Sequence, residues 1–140
     1  MNIKLFSPLL FVLLFLSAIG TAALAQSQPA MYFCEKYGDD GEVGVADRFT
    51  TGYLTVIVKC DYALDLADCS IQLDKWNKFE SKFEYYKKFT YVLEPEMKYV
   101  FFAKTDESDL SFDDPGFYRV FLLDAADRTV ASALIQIIAK

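Results

Sequence analysis

The segment Tyr53-Leu54-Thr55-Val56-Ile57-Val58-Lys59-Cys60 decides the fold class of this chain. Leu54, Val56, Val58 and Cys60 alternate with Tyr53, Thr55, Ile57 and Lys59, and a period of two sends each set to its own face of a β-strand. Downstream, Cys69, Ile71 and Leu73 alternate with Ser70, Gln72 and Asp74 in the same way. Further on, Phe83, Tyr85, Phe89, Tyr91 and Leu93 share one parity, opposite Lys82, Glu84, Lys88 and Thr90, until Pro95 ends the run. Residues 98–104, 117–123 and 129–138 read as three more strands. Upstream, residues 31–37 form a short first strand before the turn cluster Gly38-Asp39-Asp40-Gly41, with a further short strand near residues 42–49. Residues 61–68 suit one helical turn, and no segment carries a long apolar period of 3.6. About seven short strands between turn signals predict an all-β fold in which two antiparallel sheets bury their alternating faces against each other. A closed barrel is the alternative.

The start of the chain has a different character. Lys4 precedes an apolar run over residues 5–19, and Ala23-Leu24-Ala25 then supplies the small residues a signal peptidase reads. The run is shorter than the ~20 residues that span a bilayer core. Residues 1–25 are therefore expected to be a cleaved signal peptide, residues 26–30 a flexible lead-in, and residues 31–140 a single β-sandwich domain. The mature chain would begin at Gln26, in the periplasm, at the cell surface or in the medium, with no membrane attachment after cleavage.

Composition narrows the function. Without Lys4, 13 basic residues stand against 20 acidic ones, a net charge of −7. Such a surface repels phosphate backbones, so nucleic acid is not the expected partner. The chain has no histidine, which removes the usual general base near neutral pH and the usual metal ligand. No pair of its acidic residues stands out for glycoside hydrolysis. These features predict a protein that is not an enzyme and needs no cofactor.

Asp114-Pro115-Gly116-Phe117-Tyr118-Arg119-Val120 has the form D-x-G-x-Y-x-hydrophobic. It resembles the tyrosine corner of immunoglobulin-like domains, where a tyrosine hydroxyl pins a turn between sheets. The resemblance covers about the last quarter of the chain. It gives Asp114, Gly116 and Tyr118 the structural roles of that corner and implies an immunoglobulin-like two-sheet sandwich. Val120 stands where many antibody domains have a core cysteine, so their inter-sheet disulfide has no counterpart. Phe49-Thr50-Thr51-Gly52-Tyr53 is similar to one loop of chagasin-like cysteine-protease inhibitors. That family's glycine-rich and Arg-Pro-Trp loops are missing, and the segment reads as a turn leading into the Tyr53 strand.

Three cysteines, at 34, 60 and 69, are an odd number for an oxidising compartment. Cys60 and Cys69 enclose eight residues and share an inward parity, so a disulfide between them is the first expectation; Cys34–Cys60 and Cys34–Cys69 stay open. Acidic groups at Asp106, Glu107, Asp109, Asp113 and Asp114, and at Asp39, Asp40 and Glu42, lack the spacing of a dedicated calcium loop and read as solvated turns. Seven aromatic residues fall between Trp76 and Tyr91. Phe83, Phe89 and Tyr91 are expected in the core. Trp76, placed in a turn, and Tyr86, placed on the outward parity, are the candidate contact residues, because exposed Trp and Tyr dominate interaction hot spots. The sequence thus predicts an exported, non-catalytic binding or structural accessory module whose partner is a protein or a glycan at the envelope. A carbohydrate-binding sandwich using Trp76 and Tyr86 is the alternative.

Overall fold

A computed structural model of the chain describes residues 28–103 and 110–140. The expected leader, residues 26–27 of the lead-in, and the acidic residues Asp106, Glu107 and Asp109 lie outside the described residues. Within them the protein is all-β. Its strands are β1 (Ala30–Cys34), β2 (Lys36–Gly38), β3 (Gly41–Val43), β4 (Arg48–Thr50), β5 (Gly52–Tyr53), β6 (Thr55–Lys59), β7 (Asp68–Asn77), β8 (Lys82–Val92), β9 (Tyr99–Phe102), β10 (Ser111–Phe112), β11 (Gly116–Asp124) and β12 (Thr129–Ile138).

They form four sheets, none closed into a barrel: β1-β6-β9, β4-β12-β11-β7-β8, and the small pairs β10-β5 and β2-β3. The expected long segments are all present, and the surplus strands are short ones that the alternation does not separate. The expected first strand, for example, breaks at Glu35 into β1 and β2. The sheets are not wholly antiparallel, because β4 runs parallel to β12 with Gln136 opposite Arg48. Residues 61–68 make no helix. They run as an irregular strap beside residues 93–98, held by Leu64 N–H to Met97 O (2.9 Å), Asp65 N–H to Pro95 O (2.9 Å) and Leu93 N–H to Ala67 O (2.8 Å).

One continuous core joins the two larger sheets. Phe33, Val56, Val58, Val100 and Phe102 come from the three-stranded sheet. Ile71, Leu73, Tyr118, Val120, Leu122, Ile135 and Ile137 come from the five-stranded one. Each such side chain contributes roughly 1.5–3 kcal/mol by leaving water. In β6 the expected in–out alternation gives way to burial on both faces, since Thr55, Val56, Ile57 and Val58 are all buried. The reason is the β2–β3 hairpin. Its Tyr37 stacks on Phe101 at 4.4 Å, and Phe101 is the ladder partner of Ile57, so the outer side of this sheet is covered too.

Candidate contact face and its supports

The site is built on the pairing of β7, β8 and β11. Leu73 pairs with Lys87 but Asp74 pairs with Tyr85, so Tyr86 is the extra residue of a β-bulge. A bulge reverses the in–out sense of the residues beyond it. Phe89 and Tyr91 keep the inward sense expected of them and pack against the core. Phe83 and Tyr85 do not. They turn to the outer face, where Phe83 sits opposite Trp76 and Tyr85 opposite Asp74. Tyr86, expected outside, packs on the core side instead, with its ring 5.3 Å from that of Tyr118 and edge-on to it. Trp76 lies within β7 rather than in a turn.

The outward residues of the five-stranded sheet fall into rows across the strands. In the first row Phe83 and Trp76 are paired, and Phe117 is paired with Gln136, itself opposite Arg48. Phe117 comes level with Trp76 because the next residues, Tyr118 and Lys75, are partners. The second row is Tyr85, Asp74, Arg119 and Leu134, and the third includes Gln72, Phe121 and Ser132. Trp76 meets Phe83 edge to face at 5.1 Å. The Arg119 guanidinium lies over the Phe83 ring at 4.7 Å and the Phe121 ring at 5.9 Å. Trp76 is 38% exposed, Phe117 55%, Leu134 58% and Tyr85 66%. Among the described residues nothing covers this sheet face, and so many large apolar side chains in the open are unusual for an isolated molecule.

The two candidate contact residues border one groove of about 760 Å³ at the β7–β8 tip, together with Asn77, Phe79, Glu84 and Phe117. They approach it from opposite sides of the sheet. Trp76 is free to meet a partner. The hydroxyl of Tyr86 is already engaged, donating to Asp114 Oδ2 at 3.1 Å. Asn77 shapes the tip: its Oδ1 accepts from Phe79 N–H (2.9 Å) and its Nδ2 donates to Glu84 (2.9 Å), while Ser81 takes a left-handed φ of 51°.

Asp114, Gly116 and Tyr118 come together beside this groove. Tyr118 is fully buried, and its hydroxyl donates to the Asp114 carbonyl at 2.7 Å. Burial, with Tyr86 next, raises its pKa. Gly116 has φ +153°, and a Cβ there would stand 3.1 Å from Lys75 Cε. That lysine pairs with Asp114 at 3.5 Å and lies over the Tyr86 and Tyr118 rings.

Cys60 and Cys69 do not form the expected disulfide; they and Cys34 are free thiols. Cys69 is a core residue of the five-stranded sheet, whereas Cys60 follows β6 in the other sheet, with its N–H bonded to Lys98 O at 2.8 Å. Burial pushes the Cys69 thiol up to about 11, and burial also raises that of Cys34.

Of the acidic groups, Glu42 is fully engaged. Its Oε1 accepts from Lys59 (2.8 Å), Tyr32 (2.6 Å) and Tyr99 (2.8 Å). The Lys59 bond first, then the two tyrosines, hold its carboxyl down at about 2. Asp113 pairs with Lys87 and accepts from Ser111. Among the described residues no cluster of three or more metal-ligating side chains occurs. The Glu42 cluster had no local sign in the sequence, since its members come from four separate strands. The outward row Phe117, Arg119, Phe121 was legible, as the complement of Tyr118, Val120 and Leu122.

The chain matches no known protein-family model and no curated protein.

Proposed function

We propose that this protein is an exported, non-catalytic immunoglobulin-like β-sandwich that serves as a binding or structural accessory module of the cell envelope or extracellular space. The observation that carries the reading is the row Phe83, Trp76, Phe117 on one uncovered face of the five-stranded sheet. Rings held by cross-strand packing lose little freedom on binding and offer large apolar area, which is what contact hot spots consist of. The buried Tyr118–Asp114 bond supports the immunoglobulin-like assignment. The apolar run before Gln26 supports export, and the lack of histidine supports a role through surface contact. A second reading, carbohydrate binding, is favoured by the groove that joins Trp76 to the amide of Asn77 and the carboxylate of Glu84. There Tyr86 would act as a wall rather than as a hydrogen-bonding group.

Trp76 is the only tryptophan of the chain and reports directly on this face. The expected result is a mature product starting at Gln26 outside the cytoplasm. Its indole emission should shift saturably with a binder, whether an envelope glycan, an envelope protein or the protein itself at high concentration. A cytosolic product retaining Met1, or emission that none of these moves, would overturn the reading.

A further inference from the structure

Resting on that contact face, we infer that its occupant is a second copy of this chain, packed face to face about a two-fold axis. The basis is the register. On the outward side Asp74 of β7 lies directly beside Arg119 of β11, and Trp76 lies level with Phe117. A two-fold axis in the interface, running along the strands between β7 and β11, exchanges the positions of those two strands. It sets each Asp74 opposite Arg119 of the second copy and each Trp76 opposite Phe117 of the second copy. The next strands out then match as well, Tyr85 with Leu134 and Phe83 with Gln136. The face is thus complementary to itself, as a closed two-fold contact requires.

Charge points the same way. Each molecule is acidic overall, yet the centre of this face carries one acid and one base. Among the described residues neither is spent on the other: Arg119 lies over the Phe83 and Phe121 rings, and Asp74 accepts from Gln72 Nε2, at 2.8 Å. In a desolvated contact the two would form reciprocal, charge-assisted pairs. The size also fits. With strands about 4.8 Å apart and rising about 3.4 Å per residue, the five-stranded face covers on the order of 600 Å², near the ~800 Å² each partner gives to a standard interface.

Sedimentation of the full mature chain tests this with two charge-reversal variants, Asp74→Arg and Arg119→Asp. The wild type is expected to be dimeric at high concentration and to dissociate on dilution. Each variant alone should dimerise at least tenfold more weakly, because like charges then meet twice. An equimolar mixture of the two should recover the dimer, because each supplies what the other lacks. Leu134→Lys, at an exposed position, is an independent disruption with the same expected loss. A wild type that stays monomeric overturns the inference, as do variants that dimerise like the wild type. A mixture that stays monomeric while both variants keep the wild-type circular-dichroism spectrum overturns it too. If the wild type is monomeric but an envelope glycan shifts Trp76 emission, self-association fails while the contact-face reading stands. If the chain dimerises with Trp76 emission unchanged, its contact lies elsewhere and the inference fails; the contact-face reading fails with it only when envelope glycan and envelope protein also leave that emission unmoved.

Discussion

Tyr118 concentrates the local physics of the fold in one side chain. Its ring is buried between Phe112 and Tyr86, at centroid distances of 5.2 and 5.3 Å, and its hydroxyl ties the turn at Asp114 to the start of β11. Tyr118→Phe keeps the ring and removes only that bond. It should lower stability by about 1–2 kcal/mol, a fall in Tm of several degrees for a domain of this size. An unchanged thermal melt would remove Tyr118 from that role. The cysteines give a second test at this scale. Only the thiolate reacts, and burial keeps Cys69 and Cys34 protonated well above neutral pH. Mild alkylation of the native protein at pH 8 should therefore label Cys60, the more exposed of the three, well ahead of the other two. A Cys60–Cys69 cross-linked peptide in the non-reduced digest would contradict the free thiols.

At the scale of elements, the β2–β3 hairpin is fastened over the three-stranded sheet by the Glu42 cluster and by Tyr37 on Phe101. Glu42 has a folded pKa of about 2, below its ordinary 4.5. Its contribution is therefore complete above about pH 4.5 and is lost as the pH falls through about 2. The urea midpoint of the wild type should drop between pH 5 and pH 2.5, and Glu42→Gln should flatten that drop while lowering the midpoint at neutral pH. Equal drops in both proteins would show that the carboxylate does not hold the hairpin.

The long strands could be read in the sequence because their side chains alternate, and the turn between β11 and β12 because Asp124 can accept from the following backbone, as it does from Ala126 and Arg128. The bulge at Tyr86 could not be read. Nothing local marks an extra residue, and the pairing with β7 sets it. That one residue moved Phe83 out of the expected core, turned Tyr85 away from the face it shares by parity with Phe89, and took Tyr86 off the expected surface, so the candidate face was only half visible. Trp76 was placed correctly as exposed but in the wrong element. The disulfide expectation rested on parity within single strands, which does not say that the two strands belong to different sheets.

At the scale of the whole molecule, two sheets share one core and their outer sides are treated differently. The outer side of the three-stranded sheet is covered by the protein's own hairpin. The outer side of the five-stranded sheet carries Trp76, Tyr85, Phe117 and Leu134 in the open. The edge beside it is guarded. β8 is the last strand of its sheet, and its bulge with Lys82, Lys87 and Lys88 discourages addition of a foreign strand. Strand addition is thus disfavoured at this edge, and the apolar side chains of the face are left open. Hydroxyl-radical footprinting tests most directly whether a partner covers that face, comparing dilute purified protein with the protein in the cells that make it. Trp76, Phe83, Tyr85 and Phe117 are expected to become protected in that setting while Tyr53 and Val43, exposed elsewhere, stay equally reactive. Protection confined to other residues, or none at all, would contradict the contact-face reading.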